Sequence, residues 1–277
     1  MCEFSPSQKA CSGGICFLPA FHAAASAFEY PLRMDYIHTM PARALPVSIP
    51  YDHHLHIGAI IFPAMDQIDF TGPFEVLCRV PNSTFHIIAR DLNPVSDEHG
   101  LLFTPEITFR EAPPLDVLIV PGGPGQIGVM EDDDTISFIR DCAAGAKYVF
   151  SVCTGALLCG AAGLLKGRVW TTHWASHHLL KEFGAIPIDE RVVVDGKFIS
   201  AAGVTAGLDG ALRLVALLRG EEAAQQIQLA IEYQPEPPFD SGTPERAPHS
   251  VLFKARAASR HLMETRQEQI KRITGSI

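Results

Sequence analysis

The sequence has no CxxC pair, and its cysteines are odd in number, seven in all. A secreted protein held together by disulfides normally carries an even number of cysteines, so the count argues against that class and favours a reducing cytosol. Cys11 and Cys16 form a CxxxxC spacing, which is too little for a metal site. The cysteine pattern therefore predicts free thiols.

Clustered positive charge is also missing. The formal net charge is -9, and a nucleic-acid surface needs grouped lysines and arginines to displace the counterions of the phosphates. The last stretch, FKARAASRHLMETRQEQIKRI, is locally basic, but acidic residues are interleaved in it, which favours a solvated C-terminal helix. No nucleic-acid partner is predicted.

Long apolar runs are absent as well. No run approaches the roughly 20 apolar residues of a membrane-spanning helix, so no membrane partner is predicted. The N-terminus lacks the basic start and compact apolar core of a signal peptide, although the segment CFLPAFHAAASAF is mildly apolar. These absences together predict a soluble, cytoplasmic protein.

The sequence does contain a regular alternation of apolar strands and amphipathic helices from residue 55 onward. HIGAIIF, DVLIV, KYVFSV and GRVWTTH predict strands, and RVVVDGKFISAAG predicts a hairpin. TGPFEVLCRV, DDTISFIRDCAAGA and WASHHLLKEFG predict helices. Such an order indicates an α/β fold whose mostly parallel sheet is covered on both faces. We expect an irregular N-terminal extension at 1–54, one catalytic domain at 55–235, and at 236–277 a Pro-rich loop with a final helix that packs on or beside this domain.

Reactive residues are expected at the carboxyl ends of the strands, where the crevice of such a sheet lies. The strand YVFSV leads directly to Cys153 and then to a helix that begins with Thr154, Gly155 and Ala156. Small residues after a strand are typical of an elbow, a sharp turn that holds a nucleophile. The free N–H groups at the helix start predict a lowered thiol pKa. The alternative is a buried small hydrophobe, the commonest state of a free cysteine.

Neighbouring strand ends carry groups that complement a thiol. Gly122 and Gly123 follow DVLIV, and their N–H groups predict an oxyanion hole or a site for charge on a bound substrate, with a simple turn as the alternative. The chain has no P-loop here, and although Gly123, Gly125 and Gly128 have the GxGxxG spacing, that match alone is weak evidence for a nucleotide site. Asp69 follows the first strand, just before a helix expected to start near Thr71. It is either the helix cap or a carboxyl group that exchanges protons with the thiol.

The segment TTHWASHH supplies His173, His177 and His178, and the first two lie at i and i+4 on a predicted helix. A zinc site needs an HExxH-type base or a third ligand at suitable spacing, and neither is visible. No metal is predicted, and His173 is expected to line the crevice as a substrate-binding residue.

Taken together, these segments resemble the ThiJ/PfpI superfamily, a class I glutamine amidotransferase-like group with a flavodoxin-like α/β fold and an elbow cysteine. The resemblance runs from about His56 to Ile231, and in EYQPEPPFDSGTPERAP it is to the isonitrile hydratase branch. Its motifs are DFTGPFEVL, VPGG, SVCTGALLCGAAGLL, TTHW and GVTAGLDGALRLV. Peptidase-like members have histidine directly after the cysteine. Thr154 stands there in this chain, which puts a Cys–His protease dyad in doubt.

The resemblance implies that Cys153, Thr154 and Asp69 are catalytic. The implied reaction is hydration of an isonitrile to an N-substituted formamide through a cysteine thioimidate, with no metal or organic cofactor. A homodimer is expected by the same resemblance. The alternatives are another thiol-dependent enzyme of the superfamily, amidase or glyoxalase-like, or a ligand-sensing domain of AraC-regulator type without its DNA-binding module.

Overall fold

The computed structural model describes residues 49–275. Most of the extension expected at 1–54, together with Cys11 and Cys16, lies outside the described residues. Within 49–275, no helix is both long enough and apolar enough to cross a membrane.

Eleven short strands lie in the described part of the chain. In chain order they are β1 Leu55–Ile60, β2 Ser83–Ala89, β3 Val95–Ser96, β4 Leu102–Phe103, β5 Ile107–Thr108, β6 Val117–Val120, β7 Tyr148–Val152, β8 Val169–Trp170, β9 Ile186–Pro187, β10 Val192–Asp195 and β11 Phe198–Ala201. Seven of them form one sheet in the order β10-β11-β7-β6-β1-β2-β5. Neighbours in this sheet are parallel except β10 and β11, which form the predicted hairpin.

The helices alternate with these strands, as the sequence pattern predicts. They are α1 Gln67–Leu77, α2 Gln126–Val129, α3 Asp133–Gly145, α4 Gly155–Ala161, the 3₁₀ helix Trp174–Phe183, α5 Ala206–Arg219, α6 Glu221–Ala230 and α7 His249–Thr274. Helix α1 packs against α5, α3 packs against α4, and α7 lies on α2, α4 and the 3₁₀ helix. The mostly parallel sheet flanked by helices confirms the α/β, flavodoxin-like fold class.

The central strands are apolar throughout because both faces of the sheet are covered. Every residue of β6 and β7 is buried. Pairing of Val120 with Ser151 aligns the carboxyl ends of these two strands, and β1 runs parallel beside β6. The loops that follow β1, β6 and β7 therefore meet at one edge of the sheet.

Two local predictions differ from the structure. Only Val169 and Trp170 of GRVWTTH form a strand, which pairs with β9 outside the main sheet. WASHHLLKEF is a 3₁₀ helix, and His173 precedes it as the N-cap, where its Nδ1 accepts a hydrogen bond from the Ala175 N–H at 3.4 Å. His173 and His177 therefore do not share a helix face.

Candidate active site

Cys153 occupies the predicted elbow between β7 and α4. Its φ angle is +54°, a left-handed conformation that is rare and costly for residues other than glycine. The backbone is held in place because the Cys153 N–H donates to the Ala201 carbonyl at 3.0 Å, and the Thr172 hydroxyl donates to the Cys153 carbonyl at 2.6 Å. A β carbon at position 155 would lie 2.1 Å from the Val120 carbonyl oxygen, so the turn requires Gly155.

Asp69 lies in the first turn of α1, and its side chain is buried. The helix begins at Gln67 rather than near Thr71, and Asp66 is the cap, since its side chain accepts a hydrogen bond from the Ile68 N–H at 3.0 Å. The capping alternative for Asp69 is therefore wrong. Its Oδ2 accepts a hydrogen bond from the Gly122 N–H at 2.9 Å. Its Oδ1 is buried without a hydrogen-bond partner among the described residues, and the Cys153 thiol, a weak donor, is a neighbour of the carboxyl group.

The Asp69 carboxyl holds its proton at neutral pH. Burial raises its pKa from 3.8 to about 8, and the negative charge of Asp66 adds to this effect against the opposing hydrogen bonds of Gly122 and Cys153. A buried carboxyl with such a pKa is suited to donate a proton near pH 7.

The same surroundings raise the pKa of the Cys153 thiol well above its usual range. Burial is the main cause and the neighbouring Asp69 carboxyl is the second, while the Thr154 N–H and the Arg266 charge act in the opposite direction. The expected lowering of this pKa is therefore wrong for the resting site. Helix α4 has only seven residues, and its N–H groups do not offset complete desolvation of the sulfur.

The amides of Gly122 and Gly123 are directed at side chains of the site. The Gly122 N–H donates to Asp69, and the Gly123 N–H donates to the Thr154 hydroxyl oxygen at 3.0 Å. The Thr154 hydroxyl in turn donates to the Gly123 carbonyl at 3.3 Å. Both N–H groups are thus engaged, which does not support the oxyanion-hole interpretation. The loop instead holds the carboxyl and the hydroxyl in place.

His173 lines a cavity of about 400 Å³ next to the elbow. Thr172, whose hydroxyl bonds the Cys153 carbonyl, lines the same cavity, and so do Ala202 and the loop at 242–245. Burial and the Arg266 charge lower the pKa of His173, so the imidazole is neutral at pH 7. Cys153, Asp69 and Gly122 do not line this cavity, so the role of His173 in substrate binding stays a prediction.

Residues 49–275 contain no cluster of three histidine, cysteine or acidic side chains that could hold a metal ion. Cys78 is exposed, while Cys159 is buried in α4, where burial raises its pKa to about 12. Among the described cysteines, Cys153 is the one whose thiol interacts with Asp69.

Sequence reasoning missed the part that α7 plays beside the site. The interpretation of this segment as a solvated helix is wrong for one stripe, since Arg266, Gln269 and Ile270 are buried. The spacing of Met263, Arg266 and Ile270 places these three long side chains on one helix face. Because the middle one is an arginine, the sequence did not indicate that this face is buried.

Comparison with known proteins gives three informative matches. The model of the DJ-1/PfpI family matches residues 56–217. The isonitrile hydratase of Pseudomonas putida is 48% identical over 223 residues, which cover 80% of this chain and 98% of that protein. A crystal structure of a ThiJ/PfpI family protein from Pseudomonas syringae has a TM-score of 0.78 and 38% identity, and the match covers 84% of this chain and 98% of that chain.

A more distant match is to a regulator. The HTH-type transcriptional regulator GbdR of Pseudomonas aeruginosa is 29% identical over 153 residues, which cover 54% of this chain and 41% of the regulator. The likeness to this protein therefore involves less than half of its length.

Proposed function

The chain belongs to the DJ-1/PfpI family, and from that premise we propose that it is an isonitrile hydratase. The observation that carries the proposal is the 48% identity to the Pseudomonas putida isonitrile hydratase across 98% of that protein. The pairing of a protonated carboxyl, Asp69, with the elbow thiol of Cys153 supports it. The proton donor Asp69 and the nucleophile Cys153, which would both add to one carbon atom, are buried neighbours.

The first half of the proposed reaction forms a carbon–sulfur bond. The terminal carbon of an isonitrile accepts a proton, and the Asp69 carboxyl donates it. The Cys153 sulfur then bonds this carbon, and the thiol proton passes to the Asp69 carboxylate. The product is a thioimidate, in which the carbon carries one hydrogen, the sulfur and a double bond to nitrogen. Asp69 is again protonated.

The second half hydrolyses the thioimidate. Asp69 gives its proton to the imine nitrogen and takes one from a water molecule as the water oxygen bonds the carbon. The carbon–sulfur bond then breaks, and the sulfur takes the proton of the new hydroxyl group, which leaves a formamide. Cys153 and Asp69 return to their starting protonation states, and the net change is addition of one water.

Thr154 has a supporting role in this scheme. Its hydroxyl oxygen accepts a hydrogen bond from the Gly123 N–H, and its O–H donates to the Gly123 carbonyl. Because the hydroxyl is engaged in this way, we propose that it holds the loop and does not position the water. Its N–H lies against the Cys153 sulfur, where it stabilises negative charge as the thiol loses its proton. The scheme uses no metal or organic cofactor.

The test is production of N-cyclohexylformamide from cyclohexyl isocyanide by the purified full chain, followed by NMR. We expect catalytic turnover that heat-denatured protein lacks, and a mass increase on Cys153 when the reaction is quenched with acid during turnover. Absence of both would contradict the proposal. Ligand-induced stabilisation without turnover would favour the second candidate, a sensing domain, which the likeness to GbdR supports.

The expected homodimer and the expected cytoplasmic location stay predictions. Light scattering would test the homodimer.

Substitution of Gly122 by alanine is expected to reduce turnover by about 100-fold. The added β carbon would lie 2.5 Å from the Thr154 nitrogen, so the loop must move and the Gly122 N–H must leave Asp69. Gly128→Ala is the matched control, because a β carbon there meets nothing within 4 Å. Equal turnover of the two variants in the formamide assay would show that the hydrogen bond to Asp69 is dispensable.

A further inference from the structure

Arg266 is a buried cation held close to the proposed site by helix α7. Only 4% of it is exposed. All three guanidinium nitrogens donate hydrogen bonds: Nε to the Gln126 side chain at 2.7 Å, Nη1 to the Ser176 hydroxyl at 3.1 Å and Nη2 to the Gly123 carbonyl at 3.3 Å. The guanidinium group of Arg266 thus joins three segments, each more than 80 residues from it in sequence.

Its partners are neutral, which is unusual for a buried charge. Within residues 49–275, no carboxylate forms an ion pair with Arg266. A buried charge without an opposite charge is costly and normally persists only where something compensates it. Burial lowers the pKa of Arg266 to about 10, so the guanidinium remains positive at neutral pH. Negative charge on Glu98 favours the cation, and so does negative charge on Cys153 once the thiol is ionised.

The Gly123 carbonyl connects Arg266 to the proposed reaction. This oxygen accepts from both Arg266 and the Thr154 hydroxyl, while the adjoining N–H groups hold Thr154 and Asp69. Gly123 has a φ angle of +115°, and a β carbon there would lie 2.1 Å from the Asp66 nitrogen. The loop therefore adopts a conformation that only glycine accepts. The hydrogen bonds from Arg266 and Thr154 to the Gly123 carbonyl hold it there.

We infer that Arg266 is a positioning residue for catalysis: it fixes the Gly122–Gly123 loop that orients Asp69 and Thr154, and its positive charge stabilises the Cys153 sulfur as the thiolate forms. The inference rests on the proposed function for its effect on turnover, but its effect on the thiol is independent of the substrate. Helix α7 is accordingly part of the active site, although the proposed catalytic groups Asp69 and Cys153 lie in α1 and at the elbow after β7.

The test compares Arg266→Met and Arg266→Lys, with Arg272→Met as the matched control. Arg272 lies on the same helix, but its side chain is 62% exposed and pairs with Glu131. One measurement is turnover of cyclohexyl isocyanide. The other is the rate of iodoacetamide labelling of Cys153 at fixed pH values between 7 and 10, followed by mass spectrometry of the labelled peptide. Thermal melting shows that each variant is folded.

Both Arg266 variants are expected to lose turnover by about 100-fold, because neither methionine nor lysine reproduces the three-way fork. Only Arg266→Met is expected to slow the labelling, by about tenfold at each pH below the thiol pKa, because loss of the positive charge raises that pKa whereas lysine keeps the charge. The charged groups that bear on the sulfur are Asp69, Asp66 and Arg266, and Glu98 and His173 interact with Arg266. All of these groups except Arg266 are unchanged in the variants.

A labelling rate of Arg266→Met equal to that of Arg272→Met would overturn the electrostatic part of the inference. Turnover of Arg266→Lys equal to that of wild type would overturn the positioning part. If Arg266→Met does not fold, Arg266→Lys still decides positioning, and Arg266→Gln replaces methionine in the labelling experiment. If the wild-type protein does not hydrate isonitriles, the labelling rates still decide whether Arg266 acts on the thiol, so the two failures are distinguishable.

Discussion

Replacement of Cys153 by alanine is expected to abolish formamide production, with a fall in turnover of roughly 1,000-fold or more. The reason is that the proposed carbon–sulfur bond has no substitute: within 49–275 the remaining cysteines are Cys78, Cys142 and Cys159, and none is hydrogen bonded to the site. The measurement is the formamide assay with the variant at high concentration, so that a small residual rate is detected.

Cys159→Ala is the matched control for this variant. Both cysteines lie in the same strand–turn–helix unit and both are buried, with 6% and 0% exposure for Cys153 and Cys159. Cys159 packs in the core, so its replacement is expected to cost stability through lost packing and to leave turnover within a few-fold of wild type. Comparable loss of turnover in the two variants would indicate general damage to the fold and would remove the case for a Cys153 nucleophile.

The backbone at position 153 adds a stability readout that does not depend on the substrate. A residue with a β carbon in the left-handed region costs roughly 1–2 kcal/mol, and glycine avoids this cost. Cys153→Gly is therefore expected to melt about 2–6 °C above Cys153→Ala. Equal melting temperatures would mean that the elbow at φ +54° is not strained.

The elbow and the fold were accessible from the sequence because their signals are local. An apolar strand followed by a cysteine and small residues defines the turn at Cys153, and the structure confirms it. The parallel sheet follows from continuous apolar runs that alternate with helices. Neither inference requires knowledge of which distant segments touch.

Other features of the site depend on distant segments and were not accessible. Asp66 and Asp69 are both acidic residues in one short stretch, and only the approach of Gly122 from β6 distinguishes the cap from the buried carboxyl. The pKa direction of Cys153 depends on how fully the sulfur is buried, which a local pattern does not reveal. Arg266 joins the site from α7, more than 100 residues after the elbow.

Replacement of Asp69 by asparagine is expected to lower turnover by roughly 100- to 10,000-fold. An amide has no acidic proton to give to the isonitrile carbon, and no carboxylate to accept the thiol proton. In the wild type, the same reasoning predicts that turnover falls as pH rises through about 8, because Asp69 loses the proton it must donate. Turnover that keeps rising to pH 10 would contradict the assignment of Asp69 as the acid.

The same substitution is expected to stabilise the protein at alkaline pH. The Asp69 pKa is raised from 3.8 to about 8 in the folded chain, so the folded state binds this proton more tightly than the unfolded state. Its contribution is fully present below about pH 4 and is lost as pH rises through about 8. The difference of about four units corresponds to at most roughly 6 kcal/mol. Asparagine has no such loss, so the melting temperature of Asp69→Asn relative to wild type should rise between pH 5 and 9.

Asp116→Asn provides a control of opposite sign, because Asp116 precedes β6 at the other edge of the sheet. Burial disfavours its ionisation, but hydrogen bonds from Lys147, the His56 N–H and His53 outweigh burial and lower its pKa. Its contribution to stability is present above the unfolded pKa and is lost as pH falls through the folded value. Asp116→Asn should therefore melt below wild type at pH 7 and approach it in acid. If the melting temperature of Asp69→Asn relative to wild type does not rise between pH 5 and 8, then Asp69 is already ionised in the folded protein at neutral pH and its role as a proton donor fails.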